Sequence, residues 1–232
     1  MQLRRRLHPA RRAERNRRLP VRRALLVACA LIALVPAAAV AATQEDKAQF
    51  EVIGGSLSFS TPPLLPALGA VTLNGLAQTT NSTMTNFGVN DATGTGSGWN
   101  VTVEGQSGVK KSAVFAQYCP AAPCGTDVEG YVPSGATLAA DSLTLTSTAA
   151  SFTAQSGASG GPPTLQCSSA CNVDHPSAVK VASAAASDGM GTWLTSGFTG
   201  TSLSLATPSN LKALSNGEVY RVNLLWTLSS GP

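Results

Sequence analysis

From Tyr220 to Leu228 the chain places Tyr220, Val222, Leu224, Trp226 and Leu228 at every second position. Successive side chains of an extended chain point to opposite faces, so these five share one face. A helix would scatter them around its axis. The facing set, Val219, Arg221, Asn223, Leu225 and Thr227, is mostly polar. The spacing therefore predicts a half-buried strand over Glu218–Pro232. It is the most strongly patterned stretch of the chain, and it is expected to dock into a β core and close it.

The same period recurs upstream. Leu57 and Phe59 share a face in residues 56–60, Val71 and Leu73 in 70–76, and Thr83, Thr85, Phe87 and Val89 in 83–89. Trp99, Val101 and Val103 alternate with Asn100, Thr102 and Glu104. Residues 138–145, 192–194 and 201–206 also read as extended, and Ser215-Asn216-Gly217 as the turn into the last strand. The alanine-rich stretch 178–187 fits a strand carrying Val179, Val181 and Ser183 on one face, or a short helix. Charged residues are only 12% and aromatics 5%, so the core is modest and the fold rests on short strands joined by Gly, Ser and Pro turns. The expectation is an all-β, antiparallel sandwich, or a distorted barrel, with little helix.

Charge divides the chain in two. Residues 1–42 hold ten arginines and one acid, Glu14, for +9, and the remainder holds six basic and eleven acidic residues, for −5, which leaves +4 overall. A mildly acidic body argues against nucleic acid as a partner. The basic run Arg4–Arg23, the apolar run Ala24–Val35, Pro36 and then small residues have the layout of a secretory signal peptide. Val40-Ala41-Ala42 offers the cleavage site, which leaves a mature chain from Thr43 and no membrane attachment afterwards. A retained anchor is the other option, although the run is short for a span of about 20 residues. Arg22-Arg23 resembles a twin-arginine signal, and Leu26-Val27-Ala28-Cys29 a lipoprotein box. With neither a repeat nor a long linker, residues 43–232 read as one domain. Irregular insertions containing cysteine fall at about 106–136 and 154–177.

Those insertions hold Cys119 and Cys124, and Cys167 and Cys171. In an exported chain the spacings suggest two local disulfides; crossed pairing, such as Cys119 with Cys167, and metal binding are the alternatives. No catalytic constellation assembles. His175 stands beside Asp174 without a nucleophile, Asp127 and Glu129 lie in a cysteine-bearing loop, and no Gly-x-Ser-x-Gly elbow occurs. Neither an enzyme nor a cofactor or metal site is expected. Gly94, Gly96 and Gly98 alternate as in phosphate-cradling loops, but a strand pattern follows them rather than a helix, so they read as a hairpin loop.

Two separated pieces resemble the signatures of the WxL cell-wall-binding domain. Trp99-Asn100-Val101, preceded by Asp91-Ala92-Thr93-Gly94-Thr95-Gly96-Ser97-Gly98, is similar to the first, with Val101 where Leu is usual. Tyr220-Arg221-Val222-Asn223-Leu224-Leu225-Trp226-Thr227-Leu228 is similar to the second, which runs Tyr, three residues, Leu, one residue, Trp-Thr-Leu. The resemblance implies a secreted domain of Gram-positive bacteria that attaches non-covalently to the cell wall, to peptidoglycan, beside other surface proteins. A structural or adhesive protein that binds surface proteins rather than glycan is the alternative.

Exposed indoles could stack on sugar rings. The alternation instead puts Trp99 with Val101, and Trp226 with Leu228, on the face a sandwich turns inward. The motif residues Trp99, Val101, Tyr220, Leu224, Trp226 and Leu228 are thus expected to be largely core. Binding then falls to a surface elsewhere: the glycine loop Gly94, Gly96 and Gly98 with Asn100 and Thr102, or the outward face with Arg221 and Asn223.

Overall fold

The computed structural model describes residues 44–232. The calls on the leader, Cys29 included, lie outside the described residues. Phe50–Pro232 forms one compact unit, and residues 44–49 belong to a separate one. Fifteen strands follow in order: β1 (Leu57–Thr61), β2 (Gln78–Ser82), β3 (Gly88–Asp91), β4 (Trp99–Gly105), β5 (Ala116–Cys119), β6 (Gly130–Tyr131), β7 (Leu143–Leu145), β8 (Ser151–Ala154), β9 (Thr164–Leu165), β10 (Cys171–Asn172), β11 (Val179–Ala184), β12 (Gly191–Ser196), β13 (Leu203–Thr207), β14 (Val219–Arg221) and β15 (Leu224–Ser230). Among the described residues there is no helix, so the short-helix option for 178–187 gives way to β11.

The strands form four antiparallel sheets, ordered β1-β3-β12-β8, β10-β7-β13-β2, β15-β4-β11-β9 and β14-β5-β6. None closes into a barrel, and the arrangement is sandwich-like. The first and third sheets meet through their aromatic side chains. Phe152 of β8 lies 5.8 Å from Trp99 of β4, edge to face, and Phe87, just before β3, lies 6.3 Å from Trp226 of β15. Val89, Val101, Val103, Val181 and Trp193 fill the space between, with Leu143, Leu145, Leu203 and Leu205 from the second sheet.

The last stretch keeps its predicted alternation but not its unity. β14 pairs with β5, and β15 pairs with β4 in a different sheet. The chain changes sheet at Val222-Asn223, where Asn223 N–H donates to Ser112 O at 2.8 Å and Gln106 N–H to Asn223 O at 2.7 Å. Those two bonds satisfy the backbone at the break. β15 then runs antiparallel to β4, with Trp226 opposite Val103, Leu228 opposite Val101 and Ser230 opposite Trp99.

Three other expectations need correction. Residues 83–89 are not one strand: β2 stops at Ser82, and Met84 and Phe87 both turn inward from an irregular link. The Ser202 hydroxyl accepts Met84 N–H and that of Thr195 accepts Phe87 N–H, replacing the missing ladder. The glycine loop is no hairpin, because β3 and β4 lie in different sheets and the loop crosses between them. Residues 70–76 have the pattern of a strand but join no sheet among the described residues; only the turn at Asn74-Gly75 forms, with Leu76 N–H on Asn74 Oδ1 at 3.0 Å.

Candidate functional site

The first motif is interior. Trp99 and Val101 are fully buried, and the Trp99 indole N–H donates to Gly189 O at 3.0 Å. In the second motif Tyr220, Leu224, Trp226 and Leu228 pack against the core but are only half-buried, because β14, which carries Tyr220, and β15, which carries the other three, are each the edge strand of their sheet.

Alternation along the strand predicts an outward Asn100, yet it is only 8% exposed. The C-terminal turn covers it, and its Nδ2 donates to Gly231 O. Thr102 does lie on the outer face, flanked by Thr227 and Lys180. In the glycine loop Gly94 is exposed and Gly98 buried. The loop's hydroxyls are engaged with one another: Thr93 Oγ1 donates to Asp91 Oδ1 at 2.6 Å, Thr93 and Thr95 hydroxyls lie 3.0 Å apart, and Thr95 and Ser97 hydroxyls 2.7 Å. That ladder holds the crossover and leaves few free donors for a ligand.

The open chemistry lies around β14. On one side, the Arg221 guanidinium sits 4.5 Å above the Tyr118 ring, and Tyr131 meets Tyr118 edge to face at 5.0 Å. The Tyr131 hydroxyl donates to Asn223 Oδ1 at 2.5 Å, with Arg221 O at 3.3 Å. Asn223 is therefore half-buried and engaged in holding Tyr131, not projecting to solvent. Burial raises the Tyr131 pKa above its usual 10, while nearby Arg221 opposes the rise, so the hydroxyl stays a donor at neutral pH. Behind the platform, buried Gln117 donates to Glu218 Oε1 at 2.8 Å and accepts Ala136 N–H at 3.0 Å, which locks β5 to the approach of β14.

The two cysteine pairs form local disulfides, Cys119–Cys124 and Cys167–Cys171. The first begins one residue after Tyr118 and pins the loop that leads to Tyr131. Sequence reasoning missed both tyrosines, although they flank the first of the two irregular stretches closed by a cysteine pair.

On its other side β14 borders a groove of about 1000 Å3, between Leu65–Leu73 and Leu211–Leu214, with Phe115, Leu143, Leu203 and Leu205 among its lining. Tyr220 enters it and donates its hydroxyl to Lys212 O at 2.8 Å. Among the described residues no three His, Cys, Asp or Glu side chains converge as metal ligands. Asp174 is buried and accepts the backbone N–H groups of Leu143 at 3.0 Å and Ser142 at 3.1 Å, while His175 pairs with Asp141 at 2.7 Å. These acids brace a turn.

A family model described as WxL domain, surface cell wall-binding, matches residues 70–232. The chain belongs to the WxL family. The match spans both motifs and the whole β14 region, and the family description is one of wall binding at the cell surface rather than of a reaction. No curated protein and no solved structure matches the chain. Within the WxL domain the first signature and the Leu224–Leu228 part of the second are neighbouring strands of one sheet, while Tyr220 and Arg221 belong to β14 of another sheet.

Proposed function

We propose that this WxL domain is exported, loses residues 1–42 as its leader, and holds non-covalently to the peptidoglycan of a Gram-positive wall as a single mature domain, 43–232. The family match over 70–232 is the observation that carries the wall reading. The contact surface is the Tyr118–Tyr131–Arg221 platform. Aromatic rings offer apolar faces to sugar rings, and the planar guanidinium suits carboxylates such as those of wall peptides. Trp99 shapes the domain from inside and does not touch the ligand.

Sedimentation with isolated, protein-free cell walls tests this. Wild type should pellet with the walls, while Tyr118→Ala and Arg221→Gln should pellet several-fold less with unchanged melting. Equal pelleting of all three would move the contact off the platform. A second reading, binding to other surface proteins, draws on the apolar groove beside β14. It predicts pelleting only with walls that retain their proteins.

A further inference from the structure

Val71 and Leu73 have the sequence of a strand and, among the described residues, no strand beside them. Both are half-buried while Ala70 and Thr72 are exposed, the alternation of an extended chain, yet Leu65–Leu73 joins no sheet. Across the groove stands β14, which among the described residues has a neighbour, β5, on one side only. Val219–Val222 line the groove's other wall, and Leu143, Leu203 and Leu205 supply apolar lining. Thr72 O on the first wall accepts Gln78 Nε2 at 2.9 Å, but the rest of that wall and the free edge of β14 stand outside any ladder, and with the apolar lining they suit a guest strand. It would gain ladder hydrogen bonds at its edges and bury alternate side chains.

The chain also contains a segment of matching character. Phe50, Val52 and Ile53 are 90%, 78% and 82% exposed, the largest contiguous set of bare apolar side chains among the described residues. Phe50-Glu51-Val52-Ile53 joins no sheet either. As a strand it would put Phe50 and Val52 on one face and Glu51 on the other. Lys212, exposed at the groove, has the charge opposite to that of Glu51. Within one molecule β1 keeps segment and groove apart. The segment leaves from the Leu57 end of β1, tied by Gly55 N–H on Ala92 O at 2.7 Å, and the groove wall begins beyond the Thr61 end.

We propose that the groove accepts Phe50–Ile53 of a second copy as an added strand, so that copies join head to tail. Donor and acceptor are different surfaces, so the contact is heterologous and repeats from copy to copy, giving assemblies that grow with concentration, as open chains or, where the rotation closes, as rings.

Sedimentation velocity of the mature chain, residues 43–232, over a range of concentrations tests this. Wild type should shift to larger species as concentration rises. The double variant Phe50→Asp/Val52→Asp should stay a single copy throughout with unchanged melting, since both side chains are bare. A synthetic peptide spanning Gln49–Ser56 should cap the groove, dissolve wild-type assemblies and bind the double variant one to one by fluorescence anisotropy. A wild type that remains a single copy, a double variant that assembles as wild type does, or a peptide that neither binds nor dissociates the assemblies would each overturn the proposal.

Discussion

Trp226 of β15 lies with its ring 6.3 Å from that of Phe87. Phe87 stands 5.8 Å from Phe152, and Phe152 5.8 Å from Trp99. The indoles of the two motifs are thus joined through Phe152 of the facing sheet and Phe87, which immediately precedes β3 of that sheet. Trp99 is enclosed on every side, whereas Trp226 sits at a sheet edge with part of its ring open.

That asymmetry sets the order of mutational cost. Trp99→Ala should lose about 3–5 kcal/mol from the emptied volume, and the carbonyl of Gly189 also loses its indole donor. Trp226→Ala should lose roughly half as much, because less of its surface leaves water on folding. Urea denaturation of the two variants checks this. Equal losses would mean that the edge position of β15 does not matter.

The glycine loop gives a second contrast. Gly94 and Gly98 both hold left-handed backbone, at φ of +70° and +73°. A Cβ at Gly94 meets nothing within 4 Å, whereas one at Gly98 runs into the carbonyl oxygens of Ala184 and Ala185. Gly94→Ala should cost only the conformational term, about 1–2 kcal/mol. Gly98→Ala should cost clearly more, since backbone must shift. Thermal melting ranks the two.

Asp174 makes stability depend on pH. Burial raises its carboxyl pKa above the usual 3.8, against the lowering by the amides of Leu143 and Ser142. A folded pKa above the unfolded one means that the native state binds the proton more tightly. This contribution is complete below about 3.8 and is lost as pH rises through the raised folded value. Wild type should therefore lose stability relative to Asp174→Asn as pH climbs from about 4 toward neutrality. Denaturant midpoints at a series of pH values would show it, and a difference that is flat or grows with pH would contradict it.

Opening the Cys119–Cys124 bridge should act on the platform before the core. The ring it closes is small, so Cys119→Ala/Cys124→Ala should lose roughly 2 kcal/mol by loop entropy. The freed residues are those between Tyr118 and Tyr131. Wall pelleting should fall several-fold under conditions where the variant is still folded by circular dichroism. Undiminished pelleting would show that the bridge does not order the contact surface.

Much of the fold is legible along the chain. The alternations at Leu57–Phe59, Trp99–Val103 and Tyr220–Leu228 mark strands because a two-residue period has no other economical burial. Asn216-Gly217 marks its turn because both residues hold positive φ, 58° and 80°. The local cysteine pairs are legible for a similar reason, since short spacings keep the partners close. Residues 70–76 and 83–89 mislead by the same rule. Alternation reports a face to bury and says nothing of whether another strand stands alongside.

The sequence by itself determined the β class, the inward faces of both motifs and the polar character of the rest. Only the tertiary structure decided that Asn100 is covered by the C-terminal turn, that the last strand divides between two sheets at Val222-Asn223, and that Tyr118, Tyr131 and Arg221 meet. Each of these depends on residues some ninety to one hundred and thirty positions apart meeting in space. Side-chain period is a local property of the backbone. Sheet order and edge exposure come from which distant strands pair, and no local pattern encodes that choice.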